Sequence, residues 1–96
     1  MRKVQAEPIP TSTILADPGD LGALVRAVRT SSGMTLEETA LSLQVAKQTL
    51  QNLEKGKGSV SVGKTLQILR ELGIRLHWEI PRGVLSERLN EKDHAS

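Results

Sequence analysis

Between Asp17 and Gly73 the chain alternates helix-start and helix-stop residues at spacings that permit only short helices. Asp17 is a good N-cap, Pro18 suits the first helical position, and Asp20 favours the positive end of the helix dipole. Leu21, Leu24, Val25 and Val28 follow at i, i+3, i+4 and i+7, which predicts one buried stripe, and Gly33 stops the helix. Thr35, with Glu38 three residues on, forms a capping box for a second helix whose Ala40 and Leu43 face inward. A third helix is expected from about Ala46 to Lys55, burying Leu50 and Leu53 and ending at Gly56. After the loop GKGS, Ser61 caps a fourth helix, closed by Gly73. Its expected buried stripe is Val62, Thr65, Leu66, Leu69 and Leu72.

These pieces suffice for one small, mainly α domain, and 96 residues leave no room for two. Aromatic residues are 1% of the chain, so the core has to be aliphatic, with Trp78 as the single large ring. The absence of Cys excludes disulfides, thiolate metal sites, Fe–S clusters and a cysteine nucleophile. Two histidines, His77 and His94, are too few for an imidazole-rich site, so neither metal nor cofactor is expected. Catalysis is not expected either. No nucleophile–base pair is placed by the sequence, and Glu37 and Glu38, being adjacent, point to different helix faces. A net charge of +2, with its surplus inside residues 20–80, is compatible with a nucleic-acid partner without establishing one. No apolar run approaches the roughly 20 residues needed to span a bilayer. The opening MRKVQAEPIP lacks an apolar stretch of secretory-signal length. A soluble, cytoplasmic protein is expected.

The chain divides into four parts. Residues 1–16, with Pro8 and Pro10, read as an extended arm, and residues 17–73 as the folded unit. At 74–80 the period changes: Ile74, Leu76, Trp78 and Ile80 alternate with Arg75, His77 and Glu79, a strand with one apolar face that ends at Pro81. A lone strand cannot satisfy its backbone N–H and C=O groups. Its partner has to be the N-terminal arm or a second copy of the protein. Residues 81–96 form a polar tail with Val84, Leu85 and Leu89 as anchors, able to form a helical turn against a partner.

Two short helices joined by a tight turn, flanked by a helix on each side, suggest a helix-turn-helix unit. The stretch MTLEETALSLQVAKQTLQNLEKGKGSVSVGKTLQILRELG resembles the Xre/Cro family of phage repressors and bacterial regulators. The resemblance rests on Thr35, Ala40, Val45, Glu54, Lys55 and Gly56, and covers about residues 20–73. It implies a lambda-repressor-like domain of four to five helices. Two residues depart from the family pattern. Gln44 stands where Gly is usual, which implies a strained or reshaped turn. Thr39 replaces a larger apolar residue, which implies looser packing.

In such a unit the third helix enters the major groove with its N-terminal residues against base edges. By position Lys47 and Gln48 are expected to read bases, with Gln51 and Asn52 one turn further on. Lys can donate to guanine O6 and N7, while Gln and Asn pair bidentately with adenine. Ala46 and Thr49 are small enough to let the helix sink into the groove or to touch a thymine methyl. In an isolated helix the same residues would read as a plain solvated face. Phosphate contacts are expected at the start of the second helix, at Thr35 and Leu36, and from Lys55, Lys57 and Lys64. Arg29 and Glu54 align with an Arg–Glu pair that ties the first helix to the third in phage repressors, a structural role.

A second resemblance is narrower. DPGDLGALVRAVR and LRELGIRLHWEI, followed by a polar tail, look like HipB-type antitoxins. The likeness implies that the C-terminal β-strand pairs across a homodimer through Ile74, Leu76, Trp78 and Ile80. It also implies a type II toxin–antitoxin operon repressor that reads an inverted-repeat operator and neutralises a HipA-like kinase toxin. The competing readings are a stand-alone Xre-family regulator without a toxin, and a helix-turn-helix used only for protein contacts. For Trp78 the competing reading is the core of the monomer, and His77 reads as a surface residue.

Overall fold

A computed structural model describes residues 3–84, 86, 87 and 89 of the chain. Four helices run in order: α1 (Pro18–Ser31), α2 (Leu36–Leu43), α3 (Lys47–Glu54) and α4 (Val62–Glu71). A short fifth helix follows, with described residues 82–84, 86, 87 and 89. Leu85, expected to anchor the tail, lies outside the described residues, as do residues 90–96.

The start signals act as their chemistry dictates. Before α1, Asp17 Oδ1 accepts from the Asp20 N–H at 3.2 Å, and Asp20 Oδ2 accepts from the N–H groups of Asp17 and Ala16 at 3.3 and 2.8 Å. An aspartate thus completes the capping box usually closed by Glu or Gln. Thr35 and Glu38 form the same reciprocal pair at α2 (3.1 and 2.9 Å), and Ser61 Oγ caps α4 through the Lys64 N–H.

Helices α1 to α4 all end in the same motif, a Schellman turn in which two N–H groups cross back over the last turn. The bonds are Met34 to Arg29 and Gly33 to Thr30 after α1, and Val45 to Ala40 and Gln44 to Leu41 after α2. After α3 they are Lys57 to Asn52 and Gly56 to Leu53, and after α4 Ile74 to Leu69 and Gly73 to Arg70. The pivot residue has positive φ in each case, and at three of the four it is glycine. At the α2–α3 turn Gln44 takes φ 57° and ψ 43° with a full side chain. The departure from the family pattern therefore leaves the turn in its left-handed shape and adds strain to it.

The core joins Val25 of α1, Ala40 and Leu43 of α2, Leu50 and Leu53 of α3, and Ile68 and Leu69 of α4. Leu21, Leu36, Val45, Leu72 and Ile74 pack against its rim. The stripe expected on α4 is partly wrong: Val62 is 75% and Leu66 49% exposed, while Ile68 is buried. The inward set is Thr65, Ile68, Leu69 and Leu72, which also follows i, i+3, i+4, i+7, so Val62 and Leu66 fall beside the stripe. On α1, Leu24 and Val28 are only half-buried, and Gly22, Ala27, Arg29 and Thr30 take inward positions with Val25.

Glycines set how closely α1 meets α3. A Cβ on Gly22 would lie 2.5 Å from the carbonyl oxygens of both Leu53 and Glu54. One on Gly56 would lie 2.7 Å from Gly19 Cα. The first turn of α1 thus rests directly on the backbone at the end of α3, a spacing no side chain permits.

The strand expected at 74–80 is not formed: no β-strand occurs among the described residues. The segment lies outside regular structure, and Trp78 is 78% exposed, so it is no part of the monomer core. The arm does not supply a ladder for it. Instead the arm is held on α1, where Thr30 Oγ1 accepts from the Glu7 N–H at 2.9 Å and Glu7 pairs with Arg26 at 3.2 Å.

Candidate nucleic-acid interface

Leu50 and Leu53 pin one side of α3 to the core, and helical geometry turns the other side outward. Ala46, Lys47 and Gln48 are exposed, and Thr49, Gln51 and Asn52 half-buried. Five polar side chains on eight helical residues thus occupy the outward face and its borders. No side chain caps the helix start at Ala46. Gln48 Nε2 donates to Asn52 Oδ1 at 2.9 Å, one turn along. That bond uses one Gln48 amide proton and leaves the Gln48 carbonyl, its other amide proton and both amide protons of Asn52, an acceptor and donors held in fixed relation.

Lys47 is not a free cation. Its Nζ meets Glu37 Oε1 of α2 at 2.8 Å, with both side chains about half exposed (55% and 53%). A pair this exposed contributes little to stability. It occupies the one cation on the outward face of α3. Sequence reasoning names both residues without joining them, since nothing in the sequence states how α2 crosses α3.

The expected phosphate contacts are placed unequally. Lys55 and Lys57 are exposed just beyond α3. Lys64 is half-buried, with Nζ 3.4 Å from Gln67 Oε1. It lines a shallow cleft of about 220 Å³ with Thr49 and Asn52 of α3 and Ser59 and Ser61 of the following loop. At the start of α2 the Thr35 N–H is taken by the Glu38 carboxylate, and Glu37 and Glu38 add two negative charges to the first turn. Thr35 and Leu36 therefore face an anion less openly than their position alone implies.

Arg29 and Glu54 fasten this surface from behind. Arg29 Nε donates to Glu54 Oε2 at 2.6 Å and its second fork nitrogen to Glu54 Oε1 at 2.9 Å. A third bond runs to the Met34 carbonyl at 2.8 Å. The two side chains are only 10% and 7% exposed. A bidentate, desolvated pair of this kind fixes the end of α3 and the α1–α2 loop in one frame.

Among the described residues no group of acidic, His or Cys side chains could hold a metal ion, and no helix is long and apolar enough to cross a membrane. A short helix joined through a tight turn to a second helix with an outward polar face, both braced by a preceding and a following helix, defines a helix-turn-helix DNA-binding domain. Comparison with known proteins agrees: residues 25–78 match the HTH_3 helix-turn-helix family, and the chain belongs to it. It is 41% identical over 56 residues to the uncharacterized HTH-type transcriptional regulator y4mF of Sinorhizobium fredii (strain NBRC 101917 / NGR234), covering 58% of this chain and 74% of that protein. In fold it is similar to a chain from a HipB-O4 20mer complex, with TM-score 0.62 and 20% identity over 72% of this chain and 97% of the other. A chain from the complex of a HipB variant with an O2 20mer gives TM-score 0.63 at 20% identity, covering 72% and 96%. The protein is a DNA-binding transcriptional regulator of the helix-turn-helix class, a family that is not enzymatic.

Proposed function

We propose that the chain is a homodimeric repressor that reads an inverted-repeat operator with α3 and serves as a HipB-like antitoxin, binding a HipA-like kinase toxin. The observation that carries the DNA reading is the outward face of α3, where Lys47, Gln48, Gln51 and Asn52 stand together while Leu50 and Leu53 hold the helix on the core. Gln48 and Asn52 read base edges, Lys47 reaches a base after leaving Glu37, and Ala46 and Thr49 allow close approach. Lys55, Lys57 and Lys64 neutralise phosphates, with Thr35 and Leu36 at the margin. Ile74, Leu76, Trp78 and Ile80 join two copies, so that two reading helices lie about one DNA turn, roughly 34 Å, apart. The antitoxin role is supported by a fold likeness that spans nearly the whole of the HipB chains.

The similarity to a relative named only as a transcriptional regulator favours a second reading, a stand-alone regulator without a toxin. Co-purification of the chain with the product of its neighbouring gene separates the two. A kinase retained in complex and released from activity supports the antitoxin, and no complex with any kinase favours the regulator. In gel shifts on the native operator, Lys55→Ala and Lys57→Ala should each weaken binding to all DNA and flatten the salt dependence by about one unit of slope. An unchanged salt slope would remove both lysines from the phosphate set.

A further inference from the structure

Residues 75–80 make no backbone hydrogen bond to any other described residue. Beside this unpaired edge, Leu76 and Trp78 are 43% and 78% exposed. They line a groove of about 1000 Å³ whose apolar part adds Ala23 and Leu24 of α1 and Ile9, Ile14 and Leu15 of the N-terminal arm. Its polar part includes Asp20, Arg75, His77 and Glu79. Ile14 is itself 76% exposed, so the arm brings apolar surface to the groove without burying it. A groove with apolar and charged lining, bordered by a free backbone edge, fits an occupant that brings a strand, apolar side chains and complementary charges.

The segment itself meets that description, and its charges select how two copies meet. The seven residues Ile74–Ile80 lie between Gly73, which turns the chain with φ 79°, and Pro81, which cannot donate to a ladder. Their midpoint is His77. In an antiparallel pair centred there, Arg75 of one copy faces Glu79 of the other, twice. Leu76 faces Trp78, twice, and Ile74 faces Ile80. Centring on Leu76 sets Arg75 opposite His77, and centring on Trp78 sets Arg75 opposite Pro81; neither forms both ion pairs. A one-residue slip opposes the apolar set to the polar one.

We propose that a second copy of this chain occupies the groove, its residues 74–80 pairing antiparallel with the same residues of the first in the register centred on His77, with the N-terminal arm as the outer apolar cover. This rests on the homodimer reading above and adds to it a register and a role for the arm. Glu7 is the latch: its bonds to Thr30 and Arg26 hold the arm on α1 so that Ile9, Ile14 and Leu15 reach the groove.

The chain has no cysteine, so single introduced cysteines report the register directly. His77→Cys places two thiols at the two-fold axis, within reach of a disulfide, and oxidation should give a cross-linked dimer in high yield. Arg75→Cys alone puts its thiols about 14 Å apart and should not cross-link, but an oxidised mixture of Arg75→Cys and Glu79→Cys should. Arg75→Glu should raise the dimer dissociation constant about 2- to 30-fold, and adding Glu79→Arg should restore it. Ile14→Asp should raise it about 10-fold or more with an unchanged helical CD spectrum.

Cross-linking of Arg75→Cys with itself, or a dimeric mass with no cross-link at His77→Cys, overturns the register while the homodimer stands. An unchanged dissociation constant for Ile14→Asp overturns the role of the arm. A monomeric mass for the unaltered chain at every concentration overturns the homodimer reading itself.

Discussion

Replacing Gly22 by Ala should destabilise this domain, although the same replacement in a helix ordinarily does the opposite. Ala is favoured over Gly by roughly 0.5–1 kcal/mol at an unobstructed helical site. At Gly22 the new methyl would sit 2.5 Å from two carbonyl oxygens at the end of α3. Comfortable contact lies nearer ~3.5 Å, so α1 and α3 have to part by about 1 Å. Overpacking of this kind costs roughly 1–3 kcal/mol, which after the helix gain leaves a net loss of up to about 2.5 kcal/mol. For a chain of this size that is a fall in Tm of up to roughly 20 °C. Gly63 in α4 is the control, because a Cβ there meets nothing within 4 Å. Gly63→Ala should raise Tm by roughly 2–8 °C. Both variants are melted by circular dichroism at one protein concentration, since the proposed dimerisation would make Tm concentration-dependent. A Gly22→Ala protein that melts at or above the unaltered chain would show that α1 does not rest on the α3 backbone.

Three further substitutions test the frame behind the interface. Gln44→Gly relieves the left-handed backbone of the α2–α3 turn and, after the larger entropy of glycine in the unfolded chain, should stabilise by about 0.5–1 kcal/mol in urea titrations; a loss would mean the turn is unstrained. Thr39 is fully buried and its Oγ1 has no hydrogen-bond partner, so Thr39→Val should stabilise by about 1 kcal/mol, and destabilisation would reveal a partner for the hydroxyl. Arg29→Met leaves the Glu54 carboxylate buried and alone and should cost about 3–5 kcal/mol, much of it regained with Glu54→Leu in the same chain; a single-variant cost below about 1 kcal/mol would contradict the buried bidentate pair.

Local signals carry the helices well. Caps at Asp17, Thr35 and Ser61 and stops at Gly33, Gly56 and Gly73 act through bonds to residues three to five away, a range over which sequence alone specifies the partner. The positive φ of Gln44 is legible for the same reason. The α4 stripe is ambiguous because two apolar sets one helical step apart both fit a ten-residue helix, and only the tertiary position of the core chooses Ile68 over Leu66. Contacts across elements leave no local trace. Gly22 has no side chain to mark the surface it meets, and neither Lys47 with Glu37 nor Glu7 with Thr30 shows any periodic relation. The segment 74–80 displays the alternation of a strand, yet alternation reports which face is apolar and says nothing of where the ladder comes from.

The most direct measurement is selection of duplexes from a random-sequence DNA pool by the unaltered chain and by a Gln48→Ala, Asn52→Ala double variant. The unaltered chain should enrich an inverted repeat whose half-sites lie about one helical turn apart. The double variant should retain non-specific, salt-sensitive binding and lose preference at the positions those two side chains read. An identical enriched motif from both proteins would contradict the assignment of α3 as the reading helix.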